Sequence, residues 1–177
     1  MRSRPHQVST DAELYVAALR ALARRAHSVR EMRLYLERRA QNKEIVASVV
    51  ARLQRETLLD DARYAAQMAR SRTQIRRQGP ARIARELRLR GVPDSHIESA
   101  LAAIAAESDE SDLVRAHLRR RIASLRGALD RRRIASLYRS LLRAGFSVDT
   151  IRRELRLLTK QEPPSDLQAL DSDEEPC

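Results

Sequence analysis

Residues 58–92 read LLDDARYAAQMARSRTQIRRQGPARIARELRLRGV, which is one helix pattern, a sharp break and a second amphipathic helix pattern. Gly79-Pro80 forms the break, because glycine often follows a helix end and proline suits the first turn of the next helix. The same order of features occurs in residues 15–53, where Leu36 precedes Leu87 by 51 residues. This internal repetition predicts stacked helical units.

Each repeat shows apolar side chains at helical spacing together with helix start and stop signals. Ser28 and Glu31 have the spacing of a capping box, Asn42 suits the start of a third helix, and Gly91 closes a later one. Residues 112–158 repeat the pattern more loosely, with Gly145 and Ser147 between two helices. The side chains that we expect to be buried are Tyr15, Leu19, Leu22, Ala26, Met32, Leu36, Ala40, Ile45, Val49, Leu53, Tyr64, Ala65, Met68, Ile83, Leu87, Ile97, Leu101, Ile104, Ile134, Leu137, Leu141, Ile151, Leu155 and Leu158.

The predicted fold is all-α, an elongated tandem array of three three-helix repeats with a disordered acidic C-terminal tail. An Ala-, Leu- and Arg-rich composition with few aromatic residues favours helices over strands, and the scarcity of glycine argues against long loops. Residues 105–112 resemble a connector. The expected boundaries are a disordered segment 1–11, repeat 1 at 12–59, repeat 2 at 60–106, linker and repeat 3 at 107–160, and the tail at 161–177.

The sequence contains no pattern that indicates an enzyme. The four histidines are scattered, the single Cys177 cannot form an internal disulfide, and no phosphate-binding loop or nucleophile elbow is present. Asp60 and Asp61 form an adjacent carboxylate pair in the body, and we interpret them as helix caps rather than as an acid–base pair. We therefore expect no catalytic residue, no metal and no cofactor. Without a signal or membrane segment, we expect a cytoplasmic protein.

The charge is concentrated in the body of the chain. The net charge is +11, and the six acids beyond Lys160 leave the body at 11 + 6 = +17. Such a field attracts polyanions. Nearly all the basic residues are arginine, which suits phosphate contact, although base composition of the genome explains an arginine excess equally well.

A set of arginines is predicted to contact DNA or a DNA–protein filament. A solvated helix face explains any one of them, whereas phosphate contact better explains the whole set, because nearby acids are too few to neutralise it. Few aromatic residues are available to stack on bases, so binding through the backbone, tolerant of sequence, is expected. The predicted residues are Arg24, Arg25, Arg70, Arg72, Arg76, Arg77, Arg82, Arg85, Arg119, Arg120, Arg131 and Arg132.

Three blocks in this order, ARRAHSVREMRLYL, LLDDARYAAQ and GPARIARELRLRGV, resemble the signature blocks of the RecX family of bacterial recombinase regulators. The resemblance covers residues 14–104 strongly and 112–158 loosely, and the acidic tail goes beyond it. The family's motif positions include the structural residues Ser28, Glu31, Asp60, Asp61, Gly79 and Gly91. Also matched are Arg24, His27, Leu36, Leu59, Arg63, Tyr64, Arg82, Ile83, Glu86 and Leu87.

The resemblance implies a cytoplasmic regulator of DNA repair, recombination and the SOS response that binds the RecA–DNA filament. It would modulate, usually inhibit, recombinase ATPase and strand exchange, with the recombinase filament and single- or double-stranded DNA as partners and no membrane. We expect a monomer. One alternative is a sequence-tolerant DNA- or RNA-binding module without a recombinase partner, and another is a helical scaffold. The acidic tail is expected to compete with DNA for the basic face.

Overall fold

The computed structural model describes residues 10–124 and 129–159, and the regular structure within them is helical, which confirms the predicted all-α class. Thr10 caps the first helix, whereas most of the 1–11 segment and the 161–177 tail lie outside the described residues. The helices are α1 Asp11–Arg24, α2 Val29–Glu37, α3 Lys43–Arg55, α4 Asp61–Gln74, α5 Pro80–Leu89, α6 Asp94–Glu107, α7 Glu110–Ala123, α8 Arg131–Ala144 and α9 Val148–Thr159.

Polar side chains at the predicted positions start the helices. Ser28 and Glu31 form the capping box, with the Glu31 N–H donating to the Ser28 hydroxyl and the Ser28 N–H donating to the Glu31 carboxylate, both at 3.1 Å. Asn42 accepts from the Glu44 N–H at 2.9 Å and caps α3. Each cap satisfies a helical donor that has no partner within the helix.

Left-handed residues end several helices. Gly91 and Gly145 have φ of 75° and 87°, and each allows the next residue's N–H to reach back to the preceding turn. Thr57 and Arg77 adopt the same conformation without glycine, at φ of 56° and 51°. Such turns end a helix by providing hydrogen-bond donors to its last carbonyl groups. Residues other than glycine adopt this left-handed conformation at a cost in backbone strain.

The chain forms two units. Unit 1 contains described residues 10–69 and 84–102, and unit 2 contains residues 70–83, 103–124 and 129–159. Helices α4, α5 and α6 contribute residues to both units.

Helices α1, α2 and α3 build the core of unit 1. The buried stripe of α1 is Leu14, Ala18 and Ala21, one residue away from the predicted stripe. Leu19 is 36% exposed, so its predicted burial is wrong. Tyr15 and Leu22 pack at the core edge, and Ala26 is exposed beyond the helix end at Arg24. The small alanines bring the α1 backbone close to its neighbours, which places the larger side chains at the margin. The buried cluster comprises Leu14, Ala18, Ala21, Met32, Leu36, Val46, Val49, Val50, Leu53 and Leu59.

Helices α7, α8 and α9 build the core of unit 2, around the fully buried Tyr138. Leu158, predicted to be buried, is 42% exposed, because the stripe of α9 passes through Ile151 and Leu155 and leaves Leu158 at its side. The connector predicted at 105–112 is shorter: only residues 108 and 109 separate α6 from α7, since the Asp109 carboxylate caps α7. The buried cluster comprises Val114, Leu118, Leu137, Tyr138, Leu141, Phe146, Ile151 and Leu155.

Both units contain the same contact between helix ends, which we call the repeat joint. In unit 1 the Ser28 hydroxyl, at the start of α2, donates to the Arg90 carbonyl at 2.6 Å. In unit 2 the Gly79 N–H, at the start of α5, donates to the Ala144 carbonyl at 2.7 Å, and the Ala81 N–H donates to the Gly145 carbonyl at 3.1 Å. Thus residues at the start of the second helix of one repeat donate hydrogen bonds to carbonyl groups at the end of the second helix of the next repeat.

The joint in unit 2 leaves no room for a side chain at position 79. A Cβ on Gly79 would lie 2.2 Å from the Gly145 carbonyl oxygen, which is main chain and cannot turn aside. We expect Gly79→Ala to lower the free energy of unfolding by about 1–3 kcal/mol, the range for overpacking. Urea unfolding followed by circular dichroism measures this loss.

The comparison variant is Ser28→Ala at the equivalent position 51 residues earlier. It removes a hydroxyl without introducing a clash, and we expect it to cost about 1 kcal/mol. If Gly79→Ala unfolds like the unaltered chain, the close approach at this joint does not constrain stability.

Candidate nucleic-acid interface

The predicted structural motif residues act as caps. The Asp60 carboxylate accepts from the Arg63 N–H at 3.0 Å and starts its own helix, α4. The Asp61 carboxylate accepts from the Val29 N–H at 2.9 Å and so caps the start of a different helix, α2. Burial raises the pKa of Asp61, although the bond from Val29 lowers it. Both carboxylates therefore accept from helical N–H groups, Asp60 in the helix that it precedes and Asp61 in another helix, and the two line a cavity of about 810 Å³.

Glu31 links the capping box to two arginines. Its carboxylate lies 3.2 Å from Arg25 and 3.0 Å from Arg90, and the Tyr64 hydroxyl donates to it at 3.3 Å. Burial raises the pKa of Glu31, but the Ser28 and Arg25 hydrogen bonds and the charges of Arg25 and Arg90 outweigh it and leave that pKa below its ordinary value. Arg25, predicted to contact DNA, therefore pairs with Glu31 within unit 1.

The twelve predicted arginines lie in both units, and some of them interact within the chain whereas others are exposed without such a contact to the described residues. Arg24, Arg25 and Arg85 lie in unit 1, and the other nine lie in unit 2. Arg70 pairs with Glu107 at 2.8 Å, and Arg82 donates to the Arg143 carbonyl at 2.9 Å beside the repeat joint. Arg72 and Arg131 also interact within the chain. Six are exposed and form no ion pair or hydrogen bond with the described residues: Arg24, Arg76, Arg85, Arg119, Arg120 and Arg132.

Positive side chains converge around His117 in unit 2. His117 lies on α7, half-buried, with its ring edge-on to Phe146 at 6.1 Å between centroids and 3.4 Å from the Ser140 hydroxyl. Burial lowers its pKa, and the charges of Arg121, Arg77 and Arg120 lower it further. Arginines from the segment between α4 and α5 and from α7 therefore lie close enough to act on one imidazole. We call Arg77, His117, Arg120 and Arg121 the His117 cluster.

Sequence reasoning found part of this cluster. Arg77 and Arg120 belong to the predicted set, whereas Arg121 does not, although it completes the triplet that begins at Arg119. His117 carried no signal, because its spacing matches no metal or catalytic motif. Within the part of the chain that the structure describes, no group of His, Cys, Asp and Glu is placed to hold a metal ion.

The aromatic side chains offer no open platform for bases. Arg52 stacks on the Tyr15 ring at 3.9 Å, and Arg39 stacks on the Tyr35 ring at 3.7 Å. Tyr138 and Phe146 are buried. Tyr64 is half-buried beside Glu31 and Arg90. The arrangement therefore suits contact with phosphates rather than stacking on bases. Among the described helices, none has the length and apolar character that a membrane span requires.

Comparison with known proteins gives a consistent result. Family models for the first and second three-helix domains of RecX match residues 15–53 and 60–101. Regulatory protein RecX of Halorhodospira halophila is 43% identical over 136 residues, covering 77% of this chain and 82% of that protein. Regulatory protein RecX of Prosthecochloris aestuarii is 35% identical over 143 residues, covering 80% and 91%.

Two solved structures share the fold. The crystal structure of RecX from Lactobacillus salivarius matches with a TM-score of 0.69 at 22% identity, covering 85% of this chain and 97% of that chain. A second crystal structure of regulatory protein RecX matches with a TM-score of 0.72 at 24% identity, covering 86% and 73%.

The His117 cluster predicts a titration that NMR can follow. We expect the pKa of His117 to lie below 6.5, the ordinary value for histidine. Replacing Arg121 with Gln should raise it, because one repelling charge is removed, and added salt should raise it by screening. His27 in unit 1 is the control: burial also lowers its pKa, and Arg121 is not among the causes. If neither Arg121→Gln nor added salt changes the pKa of His117, the arginine charges do not converge on this histidine.

Proposed function

Because the chain belongs to the RecX family, we propose that it binds the filament that a RecA-type recombinase forms on DNA. We propose that it modulates, chiefly by inhibition, the ATPase and the strand exchange of that recombinase. It would thereby regulate DNA repair, recombination and the SOS response. We further propose that it acts in the cytoplasm as a monomer without a cofactor, that it is not an enzyme, and that its domains follow the three repeats at 12–59, 60–106 and 107–160.

The His117 cluster is the observation that supports DNA contact most directly. The charges of Arg77, Arg120 and Arg121 all oppose protonation of His117, so three guanidinium groups surround one imidazole. An anion bound beside them would offset this concentration of positive charge. A phosphate backbone is such an anion. Arg76 and Arg119 are the sequence neighbours of Arg77 and Arg120, and they add two positive charges to the two segments that form the His117 cluster.

The proposed mechanism is electrostatic occupation of the filament. The exposed arginines would contact phosphates of single- or double-stranded DNA, while other faces of the helices contact recombinase protomers. Occupying this position hinders either filament growth or the rearrangement that couples ATP hydrolysis to strand exchange. Because the contacts are to the backbone, binding should tolerate any base sequence and weaken with salt.

The first experiment is a titration of the DNA-dependent ATPase of the cognate recombinase with this protein. Inhibition well below one molecule per protomer indicates capping or blocked growth, whereas inhibition at near-equal amounts indicates binding along the filament. No effect on the recombinase, together with equal affinity for naked DNA and for the coated filament, would favour the general nucleic-acid-binding module.

Charge reversal tests the proposed surface. We expect Arg76→Glu/Arg120→Glu/Arg121→Glu to weaken filament binding and to reduce the slope of log affinity against log salt by about 0.9 for each duplex phosphate that the variant no longer neutralises. These three side chains are exposed, so the helices should remain folded. Fluorescence anisotropy across a salt series gives both quantities, and circular dichroism checks the fold.

The matched control is Arg20→Glu/Arg33→Glu/Arg38→Glu, which changes the net charge equally at exposed positions of unit 1. If both triple variants lose affinity to the same extent, binding depends on total charge, and the surface at the His117 cluster has no special role.

A further inference from the structure

Unit 2 carries an exposed apolar groove between α7 and α9. Its volume is about 350 Å³, and Leu118, Leu157 and Leu158 line it together with Arg115, Arg119 and Glu154. Leu157 is 71% exposed and Leu158 is 42% exposed, although both lie on a helix whose other face is core. The groove is therefore an unpartnered apolar surface at the end of the last described helix.

Two arginines lie on the rim of the groove, and Arg115 is already paired with both Asp112 and Glu154, each at 3.3 Å. Glu154 is buried and already paired, at 3.3 Å from Arg115 and 3.6 Å from Arg153. Arg119 is exposed and has no carboxylate partner in the described part of the chain. A segment that combines apolar side chains with acids would complement both features of this site.

The chain supplies such a segment beyond α9. Residues 166–171 read DLQALD, in which Leu167 and Leu170 lie three residues apart between two aspartates. Six acids and no basic residue follow Lys160. The spacing of three puts both leucines on one face when the segment is helical. The stretch between Thr159 and Asp166 can span up to about 20 Å, which exceeds the length of the last turn of α9 several times.

We propose that residues 166–171 dock in the α7–α9 groove of the same chain, with Leu167 and Leu170 against Leu118 and Leu157 and the neighbouring acids beside Arg119. The docked segment covers Arg119 and places negative charge next to the proposed DNA surface. The docking is independent of the proposed function. Its effect on DNA binding rests on that function.

Cys177 is the single cysteine and provides the probe. A nitroxide attached to Cys177 in the full-length chain should broaden the methyl signals of Leu118, Leu157 and Leu158 in NMR spectra. Leu167→Ser/Leu170→Ser should abolish the broadening from the tail side. Leu157→Ser, a change in the groove itself, should abolish the broadening of the Leu118 methyl signals. Because the Leu157 side chain is 71% exposed, this substitution should leave the chain folded. Leu89→Ser, at a side chain that is 76% exposed elsewhere, should leave it unchanged.

Two results would overturn the docking. One is a wild-type chain without broadening at the groove leucines, or with broadening that survives Leu167→Ser/Leu170→Ser. The other is broadening transferred from spin-labelled chains to unlabelled chains in a mixture, which would make the occupant a second copy.

Affinity for naked duplex DNA tests the regulatory effect separately. We expect Leu167→Ser/Leu170→Ser, which retains every acidic residue, to bind DNA about fivefold more tightly at low salt, the lower end of ordinary coupling between sites. Unchanged affinity in a chain whose tail demonstrably docks would overturn the masking of Arg119. A chain that shows docking but leaves the recombinase unaffected would refute the proposed function alone.

Discussion

The repeat joint is the contact on which the arrangement of helices within each unit depends. At each joint, donors at the start of one helix meet carbonyls at the end of another, where both sets of groups lack partners within their own helices. Ser28 performs this with a hydroxyl, and Gly79 performs it with its own N–H. Asp61 adds a carboxylate to the α2 start, so the two halves of the Asp60-Asp61 pair serve two different helices.

The same region determines which arginines are available for a partner. Glu31, held by the capping box, engages Arg25 and Arg90, and the unit 2 joint engages Arg82. Arginines away from the joints, such as Arg119 and Arg120, have no such partners in the described residues. Nearby acids and carbonyls thus engage some of the arginines within the chain and leave others exposed to solvent.

Local signals explain why so much of the fold was predictable. The capping box at Ser28, the caps at Asn42 and Asp60, and the left-handed Gly91 and Gly145 depend on neighbours within a few residues, so the sequence specifies them directly. The stripe of α1 was misplaced because periodicity cannot tell whether Ala18 or Leu19 faces the core when small residues allow closer packing. Similarly, the polar sequence of residues 105–112 suggested a connector, whereas Asp109 within it caps the start of α7.

The candidate site was harder to predict because it depends on distant residues. The sequence marks Arg77 and Arg120 as basic but gives no sign that both approach His117. It also gives no sign that Arg82 is committed to a carbonyl 61 residues away. Which arginines converge on His117 and which pair with acids or carbonyls follows from tertiary packing, and a list of arginines in the sequence does not contain that information.

The unit 2 joint is built largely from main-chain atoms: the N–H groups of Gly79 and Ala81 and the carbonyls of Ala144 and Gly145. Main-chain groups are present whatever side chains a lineage carries, so this contact requires little more than small residues at two positions. Sequences can therefore diverge widely while the helices keep their places, as the fold shared with relatives only 22% and 24% identical illustrates. Side chains on the outer faces of the helices, the exposed arginines among them, can therefore be exchanged without rebuilding the scaffold.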